Sequence, residues 1–403
     1  MKQHKTMNTC WKKQLKYDLF QAYYDARRNK RNTINQLRFE IAYERNLLLL
    51  YEEILSRRYE LQPSIAFIVN KPVKREIFAA DFRDRVVHHL IFNYINPMLE
   101  MQFIDDTYSC RKGKGTHYGV KRVAEFMKNF TSSSSLKVKR NECFVLKLDI
   151  QGYFMSINKH ILWEKLSNML KPYEGDLGCL ELKEVVWYLL EKVIWNDPRR
   201  NCIVKSPSSE WDDLPPSKSL FHAAPDCGLP IGNLTSQLFS NVYLHEFDCF
   251  VKNELGAAFY GRYVDDFVLI HRDKAFLLSA KEKIKNYLQE NCRLTLHPKK
   301  IYLQHYTKGV AFLGAYIKPD RIYIGKRTKG NFLRAVRAFD GAGALHTTPL
   351  QIRATLNSYL GIMSHYQSYN IRRKALWGNE NTKTIYRYGC FTNGFRKYEL
   401  KPS

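Results

Sequence analysis

Apolar residues recur at helical spacing along long stretches of this chain and at strand spacing along short ones. Three segments have the 3.6-residue period of amphipathic helices: INQLRFEIAYERNLLLLYEEIL (34–55), DFRDRVVHHLIFNYINPMLE (81–100) and QIRATLNSYLGIMSHYQSY (351–369). Asp81 stands where the second of these helices needs an N-cap. Short runs of Val, Ile, Phe and Tyr predict strands within 65–80, 143–157, 263–270 and 309–325, the last as a hairpin.

The segments between these elements carry turn and loop signals. A Gly-rich basic loop leads into a predicted helix within 107–130. Residues 171–227 are predicted to be irregular, and their Pro- and Ser-rich stretch over 205–228 is typical of an insertion. A glycine turn precedes a long predicted helix within 228–255. Residues 326–403 are basic and are predicted to be mostly helical.

The stretch YVDDFVLI (263–270) places two adjacent carboxylates, Asp265 and Asp266, among strand-forming residues. A buried carboxylate without a partner costs several kcal/mol or more, so it must be neutralised, paired or bound to a cation. The simplest alternative is a tight turn between two strands that leaves both carboxylates in water, because Asp favours turns.

The charge balance changes this picture. The chain has 403 residues with a formal net charge of +25, which points to a polyanion such as nucleic acid or an anionic membrane, and nucleic acid is the favoured partner for the reasons that follow. No apolar run approaches the roughly 20 residues of a membrane span, and the N-terminus lacks the apolar stretch of a secretory signal. The nine cysteines are scattered without metal-ligand spacing, which favours reduced thiols in a cytoplasm.

A third carboxylate, Asp149, ends a second apolar strand in FVLKLDIQGYF, 116 residues before Asp265. Neighbouring strands of one sheet would bring these carboxylates together. Two Mg²⁺ ions about 3.5–4 Å apart could then activate a hydroxyl and neutralise a departing pyrophosphate. Hard oxygen ligands suit Mg²⁺, which keeps water and phosphate oxygens and needs few protein carboxylates.

At this point the chain resembles the reverse transcriptases. Tyr263 to Asp266 are similar to the YxDD box of that family, and KLDIQGYF resembles the motif of its first catalytic aspartate. Further resemblances lie in KPVKREIFAADFRDRVVHHLI, YSCRKGKGTHYGV, LTLHPKK and GVAFLGAYI, all in the family's order between about 65 and 325. The resemblance implies an α+β fold, a right-hand polymerase with fingers, palm and thumb.

The resemblance also implies domains and site residues. The expected domains are a basic helical extension (1–64), fingers (65–142), a palm of antiparallel sheet and helices with an insertion around 171–227 (143–325), and a helical thumb (326–403). The expected metal ligands and catalytic carboxylates are Asp149, Asp265 and Asp266, with two Mg²⁺ ions. Lys300 is expected to assist pyrophosphate departure, and Lys299 fits the spacing equally well.

The nucleotide and nucleic-acid contacts follow from the same motifs. Arg75 is expected on the incoming triphosphate, which a guanidinium can bind through two hydrogen bonds, unless it is a solvated turn charge. Phe154 is expected to block a ribose 2′-OH, with ordinary core packing as the alternative. Basic residues expected at nucleotide, template or backbone phosphates, against a solvated-face alternative, are Arg111, Lys112, Lys71, Lys74 and Lys114.

One departure from the usual family pattern indicates a smaller group within the reverse transcriptases. Most reverse transcriptases have a turn that reads like QGxxxSP, whereas this chain has Ile231-Gly232 with Ser236-Gln237. The IGxxxSQ form resembles reverse transcriptases of diversity-generating retroelements, which copy a template RNA with errors at adenines and work with a small basic oligomeric accessory protein. The resemblance implies that Ile231 and Gln237 both lie at the nucleotide site. Ile231 cannot donate the hydrogen bond of a Gln near the incoming nucleotide. The alternative is that Ile231 only packs the turn.

Two other interpretations stay open. The chain could be another bacterial reverse transcriptase, from a retron, a group II intron or a phage-defence system. It could also be an RNA-binding scaffold that has kept the fold without catalysis. The intact set of Asp149, Asp265 and Asp266 argues against the scaffold. The expected partners are template RNA, the cDNA/RNA duplex, deoxynucleotides and the accessory protein.

Overall fold

The structure is a computed structural model that describes residues 2–28, 33–70, 73–131, 142–339, 347–377 and 382–402. The chain divides into two compact units. The first contains the described residues of 1–111, 149–256 and 280–299, and the second those of 112–148, 257–279 and 300–403. Each unit is therefore assembled from three separate stretches of chain.

The first unit is mainly helical. Its α-helices are α1 (Lys2–Arg27), α2 (Ile34–Glu40), α3 (Tyr43–Leu55), α4 (Phe82–Glu100), α6 (Tyr153–Ser156), α7 (Lys159–Leu170), α8 (Leu180–Trp195), α9 (Leu234–Tyr243) and α10 (His245–Cys249). The predicted N-cap of α4 is confirmed, because the Asp81 carboxylate accepts a hydrogen bond from the backbone N–H of Arg83. The face of α1 that carries Leu15, Leu19 and Ala22 is buried.

A small sheet in the first unit consists of β1 (Ser64–Val69), β2 (Arg75–Ala79) and β4 (Cys202–Val204). β1 lies in the centre, antiparallel to β2 and parallel to β4. The predicted strands within 65–80 are thus confirmed. Side chains from this sheet, α6 and the 205–223 stretch form one apolar cluster: Ala66, Phe78, Met155 and Leu220.

The second unit contains the larger sheet, with strand order β5-β6-β3-β7. Its strands are β3 (Phe144–Asp149), β5 (Phe259–Tyr263), β6 (Asp266–His271) and β7 (Tyr302–His305). The last residue of β3, Asp149, is counted with the first unit. Helix α5 (Thr116–Thr131) also belongs to the second unit, and α11 (Lys274–Cys292) divides between the two units.

The remainder of the second unit is a strand meander followed by helices. The elements are β8 (Val310–Phe312), β9 (Ala315–Ile317), β10 (Ile322–Ile324), α12 (Lys326–Ala338), α13 (Pro349–Ser364), α14 (Tyr369–Leu376), α15 (Lys383–Tyr388), β11 (Gly389–Thr392) and β12 (Lys397–Leu400). The helices pack around buried Phe332, Leu356 and Tyr398. Helices together with antiparallel strand pairs confirm the predicted α+β fold, whereas the division into fingers, palm and thumb stays a prediction.

Four local predictions differ from the structure. The expected hairpin at 309–325 is a three-stranded meander, and the expected long helix within 228–255 begins at Leu234 and breaks at Leu244. Within 171–227, expected to be irregular, α8 is a regular helix. The basic C-terminal region ends in the β11–β12 hairpin, whose four-residue loop (393–396) begins with Asn393 and Gly394 at φ values of 49° and 62°.

Candidate active site

The two adjacent aspartates lie at a tight turn between β5 and β6. Tyr263 and Asp266 face each other as the last residue pair of the two strands, so Val264 and Asp265 form the turn itself. Val264 has a φ of 57°, which is rare for a β-branched residue and marks local strain. The turn that the sequence allowed as an alternative is therefore present, yet both aspartates are only partly exposed.

A buried arginine braces this turn. Arg262 on β5 is 1% exposed, and its guanidinium donates a 2.9 Å hydrogen bond to the Val264 carbonyl oxygen. A long cationic side chain in the middle of an apolar strand requires polar partners, because an unsatisfied buried charge is costly. Arg262 thus helps to hold the strained backbone that presents Asp265 and Asp266, and the sequence prediction missed it.

Lys147 on β3 forms an ion pair with Asp266, with 3.0 Å between Nζ and Oδ2. The two side chains are 23% and 19% exposed, so much of their charge is withdrawn from water. The charge of Asp266 is therefore balanced in part by a lysine of the neighbouring strand. Residues two apart on a strand lie on the same face of the sheet, so the spacing of Lys147 and Asp149 in the stretch KLD places both on one face. Lys147 could have been predicted as a site residue on this ground, but it was missed.

Asp149 is the last residue of β3 and is 9% exposed. Its carbonyl oxygen accepts a 2.8 Å hydrogen bond from the backbone N–H of His297, which fixes this end of the strand. β3 lies next to β6 in the sheet, as the sequence prediction required.

The donor set fits a magnesium site in its chemistry. The carboxylates of Asp149, Asp265 and Asp266 are hard oxygen donors, and Mg²⁺ takes few of these because it keeps water and phosphate oxygens. Among the described residues, no group of three or more His, Cys, Asp or Glu side chains is arranged so that it could hold a metal ion. Two-metal binding therefore stays a prediction.

Phe154 and Ile231 lie on one apolar cluster, although 77 residues separate them in the chain. Both are partly buried against the cluster of Ala66, Phe78, Met155 and Leu220. A backbone hydrogen bond also connects the two chain segments, because the N–H of Leu229, two residues before Ile231, donates 2.8 Å to the Phe154 carbonyl oxygen. The structure thus brings together the two residues for which the sequence predicted roles at the sugar and the base pair.

The Ile231-Gly232 turn is fastened to strand β2. The N–H of Phe78 donates a 3.0 Å hydrogen bond to the Ile231 carbonyl oxygen, and the Asn233 side chain accepts 3.1 Å from the N–H of Ala80. Gly232 has a φ of 127°, and an added Cβ would lie 3.0 Å from Ile77 Cγ2. Glycine is required here for both its conformation and its small size.

Gln237, the second departure from the family pattern, has an exposed side chain on α9. Its Oε1 accepts a 2.9 Å hydrogen bond from the Cys110 thiol. It does not share the apolar cluster of Ile231, so the two departures act on different surroundings. The nucleotide contact predicted for Gln237 stays a prediction.

The predicted cations differ in their surroundings. Arg75 begins β2 and is exposed, and Lys74 Nζ lies 4.0 Å from an Asp213 carboxylate oxygen. In the second unit, Lys112 is exposed and Lys114 lies over the Tyr118 ring at 5.8 Å. Three more candidates are Lys299 and Lys300, which are both exposed, and Lys71, which lies outside the described residues.

Arg111 is surrounded by protein groups. Its side chain is 4% exposed, its Nε donates to Glu100 at 2.8 Å, and its Nη1 donates to the Thr107 hydroxyl at 2.6 Å. A guanidinium held in this way braces the loop of Ile104 to Arg111. These contacts favour a structural role, so the phosphate contact expected of Arg111 gains no support from its geometry.

Comparisons with known proteins agree with the motif order. Residues 70–317 match the family model described as reverse transcriptase (RNA-dependent DNA polymerase). The protein YkfC of Escherichia coli strain K12 is 21% identical over 368 residues, which cover 81% of this chain and 86% of YkfC. Among the helices that the structure describes, none combines the length and apolar character that a membrane span requires.

Two solved telomerase structures from Candida tropicalis are also similar. The apo enzyme matches at a TM-score of 0.47 and 13% identity, covering 81% of this chain and 61% of that one. A complex with the TWJ fragment of telomeric RNA matches at a TM-score of 0.45 and 12% identity, covering 78% and 55% of the two chains. This chain thus spans about three fifths of the telomerase chain or less.

Proposed function

Because the chain belongs to the reverse transcriptase family, we propose that it synthesises DNA on a template RNA by two-metal nucleotidyl transfer. The observation that carries the proposal is a family match over residues 70–317 that includes both β3, ending in Asp149, and the hairpin with Asp265 and Asp266. The predicted enzyme class, an RNA-directed DNA polymerase, is confirmed at the level of the family.

In this proposal Asp149, Asp265 and Asp266 hold the metal ions. Bound Mg²⁺ would lower the pKa of the primer 3′-hydroxyl and stabilise the charge on the leaving pyrophosphate. Lys147 balances part of the carboxylate charge, and Arg262 keeps the turn in its strained conformation. This preorganisation matters because carboxylates that move by 1 Å lose much of their effect on the reaction.

The other residues are proposed to bind and orient the substrates. Arg75 would contact the triphosphate, since it is exposed at the start of β2. The Phe154 ring would exclude a 2′-hydroxyl. Lys300, or Lys299 beside it, would supply a proton or positive charge to the departing pyrophosphate. Exposed Lys112, together with Lys74 and Lys114, is proposed to contact nucleic-acid phosphates.

A basic aromatic surface on α1 is the proposed track for single-stranded RNA. It consists of Lys12, Lys13, Lys16, Tyr17 and Phe20, with Tyr51 of α3 beneath. The ammonium of Lys16 lies 5.1 Å from the Tyr51 ring centroid, and Tyr17 is 67% exposed. Lysines beside exposed rings suit phosphate contacts combined with base stacking.

The finer proposal is a reverse transcriptase of a diversity-generating retroelement. It rests on the IGxxxSQ form and on the position of Ile231, an apolar side chain on the same cluster as Phe154. With no hydrogen-bonding group at this position, the nascent pair is held less tightly, and errors rise. The proposed setting is a bacterial or phage-encoded enzyme in the cytoplasm, with a small basic oligomeric accessory protein as partner.

Primer extension on an RNA template with Mg²⁺, followed by sequencing of the cDNA, tests both levels of the proposal. DNA synthesis with errors concentrated opposite template adenines supports the retroelement type. Synthesis with errors spread evenly over the four bases points instead to a retron, group II intron or defence enzyme. RNA binding without synthesis supports the scaffold interpretation and overturns the proposal.

A further inference from the structure

The Pro- and Ser-rich stretch within 205–228 is anchored by a buried carboxylate. Glu76 on β2 is 1% exposed and accepts 2.7 Å hydrogen bonds from the Trp211 indole N–H and the Ser219 hydroxyl. It also accepts one from the backbone N–H of Leu220. Three donors from the same stretch therefore converge on one buried side chain, which holds that stretch against β2.

Backbone contacts fasten the same stretch to strand β1. The N–H of Lys205 donates 2.9 Å to the Ala66 carbonyl oxygen, which extends the β1–β4 pairing by one residue. The Ser206 hydroxyl accepts 3.0 Å from the N–H of Ile68. Residues 205–223, which we name the clamp segment, are thus attached to both β1 and β2.

The hydrogen bonds to Glu76 hold Leu220 in the apolar cluster against which Phe154 and Ile231 pack. Leu220 is 2% exposed and is one of the four buried members of that cluster. Two glycines leave room for the clamp segment. An added Cβ would lie 2.4 Å from Leu220 Cδ1 at Gly228 and 2.6 Å from the Ser217 carbonyl oxygen at Gly152. Both distances are shorter than real Cβ contacts, so neither glycine tolerates a side chain without a shift.

We propose that the clamp segment is a positioning element for nucleotide selection, with Leu220 holding the Phe154 ring in place and Glu76 holding Leu220. The inference rests on the proposed polymerase function and on Phe154 as the group that excludes the 2′-hydroxyl. A steric gate works only while its ring cannot retreat, because one methyl-sized displacement admits an oxygen atom. Packing behind the ring therefore contributes to selectivity without touching the substrate.

The main test is Leu220→Ala, measured as the ratio of kcat/KM for deoxynucleotides to that for ribonucleotides. We expect this ratio to fall about three- to tenfold. This is less than the roughly 10- to 200-fold that one methylene in a substrate pocket can be worth, because Leu220 acts through the ring and does not touch the substrate. The matched control is Leu166→Ala on α7, which removes the same atoms from a fully buried site of the first unit. The control should lose stability and keep its selectivity.

A double-mutant cycle asks whether Leu220 acts through Phe154. In a Phe154→Ala background, Leu220→Ala should change selectivity no further, since the ring that it supports is absent. Glu76→Gln is the second variant, because it keeps the core volume and disturbs only the anchor. In either orientation its amide N–H₂ group would face a donor, the Leu220 N–H on one side or the Trp211 and Ser219 groups on the other. We therefore expect a selectivity loss in the same direction.

The outcomes separate the inference from the function on which it rests. If the parent enzyme makes no DNA on RNA, the polymerase proposal fails. If the parent makes DNA but Phe154→Ala leaves selectivity unchanged, the gate is elsewhere and the inference is overturned. Equal selectivity in Leu220→Ala and Leu166→Ala also overturns it. If Leu220→Ala does not fold, Glu76→Gln decides, and unchanged selectivity in that variant overturns the inference as well.

Discussion

The acidic hairpin of β5 and β6 and the apolar cluster around Phe154 and Ile231 are built in opposite ways. The hairpin comes from one continuous stretch, residues 259–271, together with a single neighbouring strand. The cluster gathers side chains from β1, β2, α6, the clamp segment and the turn at Ile231. The charged hairpin that is proposed to perform the chemistry is therefore encoded locally, whereas the packing proposed to select the substrate depends on residues distant in sequence.

This difference predicts two kinds of mutational response. In the hairpin, charges and strain are balanced by a few specific partners, such as Lys147 and Arg262. In the cluster, many weak van der Waals contacts together hold the side chains in place, so truncation of one side chain should have only a partial effect. We therefore expect all-or-none losses from the hairpin and graded changes from the cluster.

The largest expected effect belongs to neither region. Affinity for single-stranded RNA should fall by about 10³-fold or more between 50 and 200 mM salt, if roughly seven or more phosphates are neutralised. The combined variant with Lys12, Lys13 and Lys16 changed to Ala should reduce the slope of log affinity against log salt by about two. The measurement is a fluorescence titration at several salt concentrations.

A charge-matched control carries the same three changes at Lys274, Lys283 and Lys285, which are exposed on α11. A smaller loss of slope in this control assigns the track to the α1 surface. An unchanged slope in the α1 variant would contradict that assignment. Asp265→Asn and Phe154→Ala should leave RNA affinity close to that of the parent, so that their effects on synthesis can be attributed to the reaction.

The hairpin should show the all-or-none response. Asp149→Asn or Asp265→Asn keeps the side-chain size but removes a ligand charge, and DNA synthesis should fall by at least about a thousandfold, equivalent to about 4 kcal/mol in the barrier. Glu290→Ala, an exposed carboxylate on α11, is the control and should keep full activity. The measurement is single-nucleotide extension with saturating Mg²⁺. A loss of only a few-fold would reject the two-metal assignment.

The two regions also differ in how far the sequence predicts them. The strand-forming flanks of YVDD predicted a strand here, and the adjacent carboxylates allowed the turn between two strands as the alternative, which is what the structure has. Lys147 could have been found by the period of two along its strand. Arg262 could not, because nothing local distinguishes a buried arginine from a solvated one.

The cluster was visible only in part. Phe154 and Ile231 were identified one by one from motifs, but nothing in the sequence predicted that they share a cluster. The contributions of Glu76 and Leu220 were missed because they depend on a 205–223 stretch whose composition suggests an exposed loop. The β11–β12 hairpin was missed for a different reason, since its Asn-Gly pair is a strong signal that a helical expectation outweighed.

The cluster should show the graded response first at Phe154. Phe154→Ala should lower the preference for deoxynucleotides over ribonucleotides by roughly 10- to 100-fold, because space replaces the ring that is proposed to exclude the 2′-hydroxyl. The rate with deoxynucleotides should change much less. Competition between the two nucleotide types at one template position measures the ratio. A preference equal to that of the parent would mean that Phe154 is only a core residue.

The smallest effect is expected at Ile231. Ile231→Gln should restore a hydrogen-bonding group near the incoming nucleotide, and one such bond is worth about 0.5–1.5 kcal/mol, or about two- to twelvefold in an error ratio. We expect a few-fold fewer errors opposite template adenine, with overall synthesis kept. The measurement is the error frequency per template base in cDNA made from one RNA.

Two control variants decide what this change means. Ile231→Leu keeps the side chain apolar and should keep the error rate of the parent, which separates polarity from packing. Gln237→Pro should have a weaker effect than Ile231→Gln, because Gln237 lies on α9 outside the cluster and contacts Cys110. If Ile231→Gln and Ile231→Leu have equal error rates at adenine, the residue marks ancestry and does not set fidelity. The difference between the acidic hairpin and the apolar cluster would then be larger. Fidelity would depend on the shape of the whole cluster, whereas synthesis would depend on single charged groups of the hairpin.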